Sequence, residues 1–514
     1  MSTLTQPTSV INAAAHADAT IAPQRLHALW ITSFTLLLLA FLLRGWDFGS
    51  AALDLDEQWY LLVGERMLHG AVPYIDLWDR KPIGLFLLYA GVGMLPGDGI
   101  IAYQLIATLF AAATAITVAM IAQRIGAGRI SGCVGGLLYL LTLSVLGGQG
   151  GQSPVFYNLF VAMAALLTTR LPHLVRHGRL SAIGWNGLGA CALVGLAIQF
   201  KYTAAVEGAL MGGAHVWAAW RLPGVRSRAA TIGWTVAWMT AGLLPTIAVV
   251  IAYADMGASA FHAFWFANFI SIALRRAYPA RQVMGNLGSI LGQVTPLLIA
   301  SIATLTRYRT LKEGQASRRL VIGWLIAAVA GFAAIGTFHD HYALPLLPPL
   351  AALGAVALAR SRALAVIVVG AATLVFVGER ASTPNADQAV REAAALVQTY
   401  SGQRCPYVFM GDPIIYHLAG KCIPTAYAFP NTLAQAIEQN ATGVDEAREV
   451  RRIMSNRPPV VVSSDRSRTI WNVASAAVMR RALASDYYLR KRIARGRYNL
   501  LIYVRRDRKR PYDS

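Results

Sequence analysis

Eleven apolar runs, each close to the length that crosses a bilayer, constrain this chain more than any other feature. They occupy about residues 27–44, 100–122, 130–147, 153–170, 183–200, 202–220, 230–254, 285–305, 319–337, 342–360 and 363–379. A helix needs roughly 20 apolar residues to cross a hydrocarbon core of about 30 Å. Within lipid it satisfies its own backbone, which an isolated strand cannot do. Only 14% of the residues are charged, whereas a soluble domain carries about a quarter. The sequence therefore predicts a polytopic α-helical membrane protein.

Loop charges predict the orientation. Arg124 and Arg129, Arg170 to Arg179, Arg221 to Arg228, Arg307 to Arg319, and Arg360 with Arg362 fall in alternate loops. The short opposing loops 147–152 and 337–342 carry no Lys or Arg. Cytoplasmic loops collect the positive charge, so residues 1–26 are expected to be a disordered cytoplasmic segment. No small-residue cleavage site follows the first run, only Arg44-Gly45-Trp46-Asp47, and the first helix reads as uncleaved. The net charge of +21 sits largely in these loops and in the C-terminal tail, which argues against nucleic acid as a partner. Ile83–Leu95 is apolar but too short to span. It reads as interfacial, which leaves 45–99 as one long periplasmic loop. A second outer loop, 255–286, carries an aromatic run ending in Arg275-Arg276. That pair suits either an anionic headgroup in the outer leaflet or plain interfacial anchoring.

Residues 27–380 thus form the transmembrane unit, and an odd number of spans places 381–514 in the periplasm of a bacterial inner-membrane protein. This last segment reads as a small soluble α/β domain. Helical periodicity covers 384–400 and Asp445–Met454, strands Pro406–Met410 and Val460–Ser463, and a hairpin joins Tyr487–Arg492 to Tyr498–Arg505. Cys405 and Cys422 are its only cysteines and are disulfide candidates in an oxidising compartment. Cys133 and Cys191 lie in apolar runs and read as packing residues.

Of the fourteen acidic residues before residue 381, seven lie between Asp47 and Asp79. Carboxylates beside a bilayer are costly and mark function. An outer-face carboxylate can take a proton from an attacking hydroxyl while cations hold a phosphate leaving group. Such a site suits transfer of a sugar from a lipid-phosphate donor lying in the outer leaflet.

The stretch "DLDEQWYLLVGERMLHGAVPYIDLWDRKPIGLFLLYAGVGML" resembles the first periplasmic loop of the GT-C membrane glycosyltransferases. The likeness is to the glycosyltransferase family 39-like branch with the rhizobial galacturonosyl transferases, aminoarabinose transferases and protein O-mannosyltransferases. The family's Asp-Glu pair, Tyr and Lys-Pro motif fall on Asp56-Glu57, Tyr60 and Lys81-Pro82, with Ile83 in place of a second Pro. "GLAIQFKYTA" is similar to a Lys-bearing helix end and gives Lys201. "HDHYALPLLPPLAAL" is similar to a late His-Tyr motif and gives His341 and Tyr342. The resemblance implies that Asp56, with Glu57, is the catalytic carboxylate. It implies that Lys81, with Arg80, Asp79 and His341 or Arg275 and Arg276, lines the site of a polyprenyl-phosphate sugar donor. The acceptor hydroxyl would belong to lipopolysaccharide, another glycolipid or a protein.

Two departures stand out. The next outer loop, "GGQGGQSPVFYN", lacks the second acid of many relatives, leaving Gln149, Gln152, Asn158 or Asp54 to fill its place. Asp54-Leu55-Asp56 is also an Asp-x-Asp, a pattern that can hold Mg or Mn. The expectation is nevertheless no metal and no cofactor, with the lysine and arginine neutralising the phosphate. Asp54 equally fits a helix cap, and Lys201 a residue that snorkels to the interface. His339-Asp340-His341 lacks the further ligands of a metal site. A transporter or flippase of a lipid-linked saccharide is the rival reading. It would place polar residues midway through several spans, and only Glu207 comes close. A non-catalytic assembly protein, binding through its C-terminal domain, is a second rival.

Overall fold

The computed structural model describes residues 27, 29–223, 225–307, 310–467 and 469–507; the expectation for 1–26 lies outside this set. The helices of the membrane unit are α1 (Leu29–Asp47), α2 (Leu55–Leu68), α3 (Ile83–Gly93), α4 (Ile100–Arg124), α5 (Arg129–Val145), α6 (Ser153–Thr168), α7 (Leu171–Arg176), α8 (Leu180–Ile198), α9 (Ala204–Trp220), α10 (Val225–Asp255), α11 (Ala258–Trp265), α12 (Ala280–Thr306), α13 (Gln315–Ile335), α14 (Leu347–Leu358) and α15 (Arg362–Ser382). Among the described residues, nine helical stretches are long and apolar enough to cross a membrane. The expected spans at 130–147 and 202–220 are the shorter helices α5 and α9. The run at Ile83–Leu95 forms the 11-residue helix α3, too short to cross.

Packing follows side-chain size. Every residue of α14 is buried; it lacks charge and is built from Leu, Ala, Gly, Val and Pro. A side chain on Gly135 of α5 would meet the Ala351 carbonyl and the Ala355 methyl of α14 at 3.0 Å, the close approach that small residues permit between membrane helices. The span containing α14 is 83% buried, whereas that of α10 is 6% buried; the first is the centre of the bundle and the second faces the surroundings. The short helices α2 and α3 form a hairpin packed on the same core. A Cβ on Gly64 would lie 2.5 Å from the Tyr89 backbone, so only glycine lets α2 lie this close to α3.

The C-terminal domain is a four-stranded sheet with helices on both faces. Its strands are β1 (Tyr407–Val408), β2 (Val460–Ser464), β3 (Tyr487–Arg495) and β4 (Tyr498–Arg505), in the order β1-β2-β4-β3. β1 is parallel to β2, and β4 pairs antiparallel with both neighbours. The helices α16 (Asp387–Ser401), α17 (Ile414–Leu418), α18 (Pro430–Ala434), α19 (Glu446–Ser455) and α20 (Val473–Asp486) complete it. Cys405 and Cys422 are disulfide-bonded, with Cα atoms 4.9 Å apart.

Polar contacts seat this domain on α2. Buried Asp412 receives both Arg495 (2.8 Å) and Gln58 (3.0 Å), and Arg495 also donates to the Ala52 carbonyl (3.1 Å). Arg66 donates to the Lys421 carbonyl (2.7 Å), and His417 meets Glu65 (2.9 Å).

Candidate active site

The site is assembled where α2, the turn before α3, the α8–α9 turn and the segment Asp340–Leu346 converge. Asp54 starts α2 in extended conformation, and its side chain accepts from the Asp56 amide (2.8 Å). This N-cap places Asp56 in the first turn, where exposed backbone amides favour a carboxylate. One turn further, Tyr60 donates to Asp56 Oδ2 (3.1 Å), and Lys81 Nζ donates to the same oxygen (3.2 Å). Lys81 is held by its turn: Asp79 accepts from the Lys81 amide (3.0 Å) and Tyr74 donates to the Lys81 carbonyl (2.8 Å).

His341 Nε2 stands 4.0 Å from Asp56 Oδ2. Its neighbour Tyr342 carries the Lys201 ammonium 4.2 Å above its ring, and the Tyr342 side chain is also a partner of Arg275. The side chains of Asp56, Lys81 and His341 are 22%, 19% and 17% exposed, so the cluster is sheltered but reachable.

Charges there are not independent. Burial would raise the Asp56 carboxyl, but the Lys81 ammonium and the hydrogen bonds from Lys81 and Tyr60 outweigh it and hold the group well below the usual carboxylate range. Burial lowers Lys81 while Asp56 raises it, and the carboxylate wins. The result is an ionised pair. Lys201, in the turn between α8 and α9, is pushed down to about 7 by burial and by the Lys81 charge. It therefore responds to any anion that arrives.

Seven of the residues expected from sequence come together: Asp56, Tyr60, Lys81, Lys201, Arg275, His341 and Tyr342. The other expected residues are held in contacts of their own. Successive residues of a helix point about 100° apart, and Glu57 is turned inward, fully buried, where it accepts from the Gly151 amide. Burial, then the Asp54 charge, push the Glu57 carboxyl well above its ordinary value, and the side chain anchors a loop through the Gly151 amide. Asp54 is occupied as the cap and also accepts from Gln152 (2.8 Å). Asp79 orders its turn. Arg80 is committed to Glu438 (2.6 Å), Ser271 (2.8 Å) and the Ala441 carbonyl (3.2 Å). Arg276 is exposed, with its backbone amide on the Ile437 carbonyl (3.2 Å). Among the described residues, no group of three or more His, Cys, Asp or Glu is placed to hold a metal ion.

The glycine-rich loop after α5 acquires a physical reason. Gly150 and Gly151 lie against Glu57 and Tyr89, where any Cβ would collide, and Tyr89 donates to the Gly151 carbonyl (2.7 Å). Buried Arg44 bridges Thr108 (3.1 Å) and the carbonyls of Gly150 (2.8 Å) and Gly148. Sequence reasoning missed Arg44 and Glu438 as site supports. Arg44, an arginine set directly at the end of the first apolar run, carried a signal; Glu438 carried none.

No family model matches this sequence, and no curated protein matches it. Solved structures do. ArnT from Cupriavidus metallidurans bound to undecaprenyl phosphate superposes with a TM-score of 0.58 at 14% identity, over 92% of this chain and 97% of that one. Its apo state gives a TM-score of 0.59 at 14% identity, over 94% and 98%. The oligosaccharyltransferase of Archaeoglobus fulgidus, tethered with an acceptor peptide, gives 0.52 at 12% identity, over 85% of this chain and 69% of that one. The chain, with nine helical stretches among its described residues long and apolar enough to cross a membrane, shares the fold of ArnT and of the Archaeoglobus fulgidus oligosaccharyltransferase.

Proposed function

We propose that this protein is a glycosyltransferase that moves one sugar from a polyprenyl-phosphate donor to an acceptor hydroxyl outside the cytoplasm. The observation that carries the reading is the Asp56–Lys81 pair: an ionised carboxylate 3.2 Å from a lysine, with Lys201 and Arg275 beside Tyr342 on the same cleft. In the proposed reaction Asp56 takes the proton of the acceptor hydroxyl. The oxygen attacks the anomeric carbon and the bond from that carbon to the phosphate oxygen breaks. The leaving polyprenyl phosphate keeps the electron pair. Lys81 and Arg275 neutralise its charge, and Lys201 takes up a proton from solvent as the anion forms beside it. A single displacement inverts the anomeric centre. The chain's own cations do the neutralising, so we infer a metal-independent enzyme. The basic loops support an inner-membrane protein with this cleft and the C-terminal domain on the periplasmic side. The solved structure of ArnT with undecaprenyl phosphate, on the same fold, supports the donor class.

The test is purified protein in nanodiscs with a panel of labelled polyprenyl-phosphate sugars, a lipopolysaccharide acceptor and added chelator. Sugar transfer independent of divalent metal is expected. Lipid translocation without transfer would favour a flippase, and metal-dependent transfer would return Asp54 and Asp56 to a ligand role.

A further inference from the structure

One carboxylate of the C-terminal domain reaches the rim of the cleft. Glu438 sits in a short turn, Ala436–Glu438, and its side chain is 6% exposed. One oxygen pairs with Arg80 (2.6 Å) and the other with Arg275 (2.9 Å). The turn is also tied down by its backbone, because the Ile437 carbonyl accepts from the Arg276 amide (3.2 Å). Arg80 spends its remaining donors on Ser271 and Ala441 and stacks 4.6 Å from the Trp78 ring. Its whole guanidinium is therefore a fastening, and the residue fastened next to it is Lys81. Arg275 differs. It is held by Glu438 along one edge, meets Tyr342 on the cleft side, and has a buried Nε with no hydrogen-bond partner.

We infer that Glu438 is a positioning residue of the phosphate site, by which the C-terminal domain fixes the orientation of Arg275 and, through Arg80, the placement of Lys81. The inference rests on the proposed lipid-phosphate chemistry. A guanidinium is a rigid planar fork; fixing one edge with a carboxylate leaves the other edge presented in one direction. Two arginines sharing an outlying loop would repel each other without the carboxylate between them. The C-terminal domain is then part of the active site: without its turn, Arg275 and the Arg80-Lys81 turn lose their common anchor.

The sign of one measurement separates this role from its opposite. By Coulomb attraction alone, removing a negative charge near the cleft strengthens anion binding. Loss of orientation weakens it, by analogy with residues that orient metal ligands, whose removal costs about tenfold or more. The full chain in nanodiscs is titrated with undecaprenyl phosphate. Glu438→Gln, which keeps shape, is expected to raise Kd about tenfold, and Glu438→Asp to restore most of the affinity. Arg275→Gln should weaken binding similarly, and the double variant Glu438→Gln with Arg275→Gln by less than the product of the two single effects, since the part of Glu438's action that passes through Arg275 is already lost. Purely structural damage would lower the melting temperature in both acidic-residue variants and multiply with Arg275→Gln. Unchanged or tighter binding in Glu438→Gln, or multiplying effects in the double variant, overturns the inference. If Lys81→Ala and Arg275→Gln both leave Kd unchanged, the phosphate site itself is refuted and the role of Glu438 with it.

Discussion

Replacing Asp56 by Asn separates catalysis from binding. Asparagine keeps the size of the side chain and one oxygen that accepts from Tyr60 and Lys81, at present 3.1 and 3.2 Å away. It loses the charge and the ability to take a proton. The change from charge-assisted to neutral hydrogen bonds costs about 1 kcal/mol of stability, so the protein should fold. A positioned general base is worth a factor of about 10²–10⁴, or roughly 3–5 kcal/mol of barrier. Donor binding should move the other way. Lys81 is no longer shared with a carboxylate, so undecaprenyl phosphate should bind with unchanged or lower Kd. The assay pairs single-turnover transfer with titration of undecaprenyl phosphate on the same preparation. A rate within about fivefold of wild type would refute Asp56 as the base, since so small a loss falls outside what a general base contributes. A collapse of phosphate affinity would mean that Asp56 belongs to the binding machinery instead.

Lys81→Ala should raise Kd for undecaprenyl phosphate by about tenfold or more, as expected for a lost charge-assisted contact, whereas Lys81→Arg should keep part of the affinity; equal affinity in wild type and Lys81→Ala would place the phosphate elsewhere. Lys201, pushed down to about 7 by burial and the Lys81 charge, must be protonated to hold an anion, so phosphate affinity should fall as pH rises through about 7 and binding near that pH should take up a proton. Calorimetry in buffers of different ionisation enthalpy measures the uptake; Lys201→Met should abolish it, and uptake that persists in this variant would assign the proton to another group. The same lysine weakens folding below its free value, because the unfolded chain binds its proton more readily and stability from this group falls as pH drops through the range between about 10 and 7. Replacing Cys405 and Cys422 by Ser removes a link across 17 residues and should cost about 3 kcal/mol in the C-terminal domain, read as a lower melting temperature with turnover per folded molecule almost unchanged. A large loss of turnover in well-folded protein would contradict that separation.

The membrane elements were legible because their signal is local. A run of apolar residues near 20 long allows few structures in lipid, and Ile83–Leu95 was short enough to read as a helix that stays outside. In the C-terminal domain the strands at Val460 and Tyr498 were readable from burial pattern and turn residues, while α20 was missed because VASAAVMRRALASD carries little amphipathic contrast. The site divides in the same way. Asp56, Lys81 and the His341-Tyr342 pair lie in motifs whose order along the chain identifies them. Glu57 was paired with Asp56 in sequence, yet helical geometry turns it toward the Gly150-Gly151 loop, where it accepts from the Gly151 amide. Arg80 beside Lys81 looked equally available for phosphate; its carboxylate partner Glu438 lies far along the chain in an unremarkable polar stretch, and only the folded domain brings the two together.

Electron cryomicroscopy of the full chain in a lipid nanodisc with undecaprenyl phosphate would locate the bound anion itself. Phosphate density is expected within hydrogen-bond reach of Lys81 Nζ and the edge of Arg275 that faces Tyr342, beside the Asp56 carboxylate, with the lipid chain leaving between the membrane helices. Phosphate bound elsewhere, with Lys81 still closed on Asp56 and Arg275 away from the anion, would contradict that expectation.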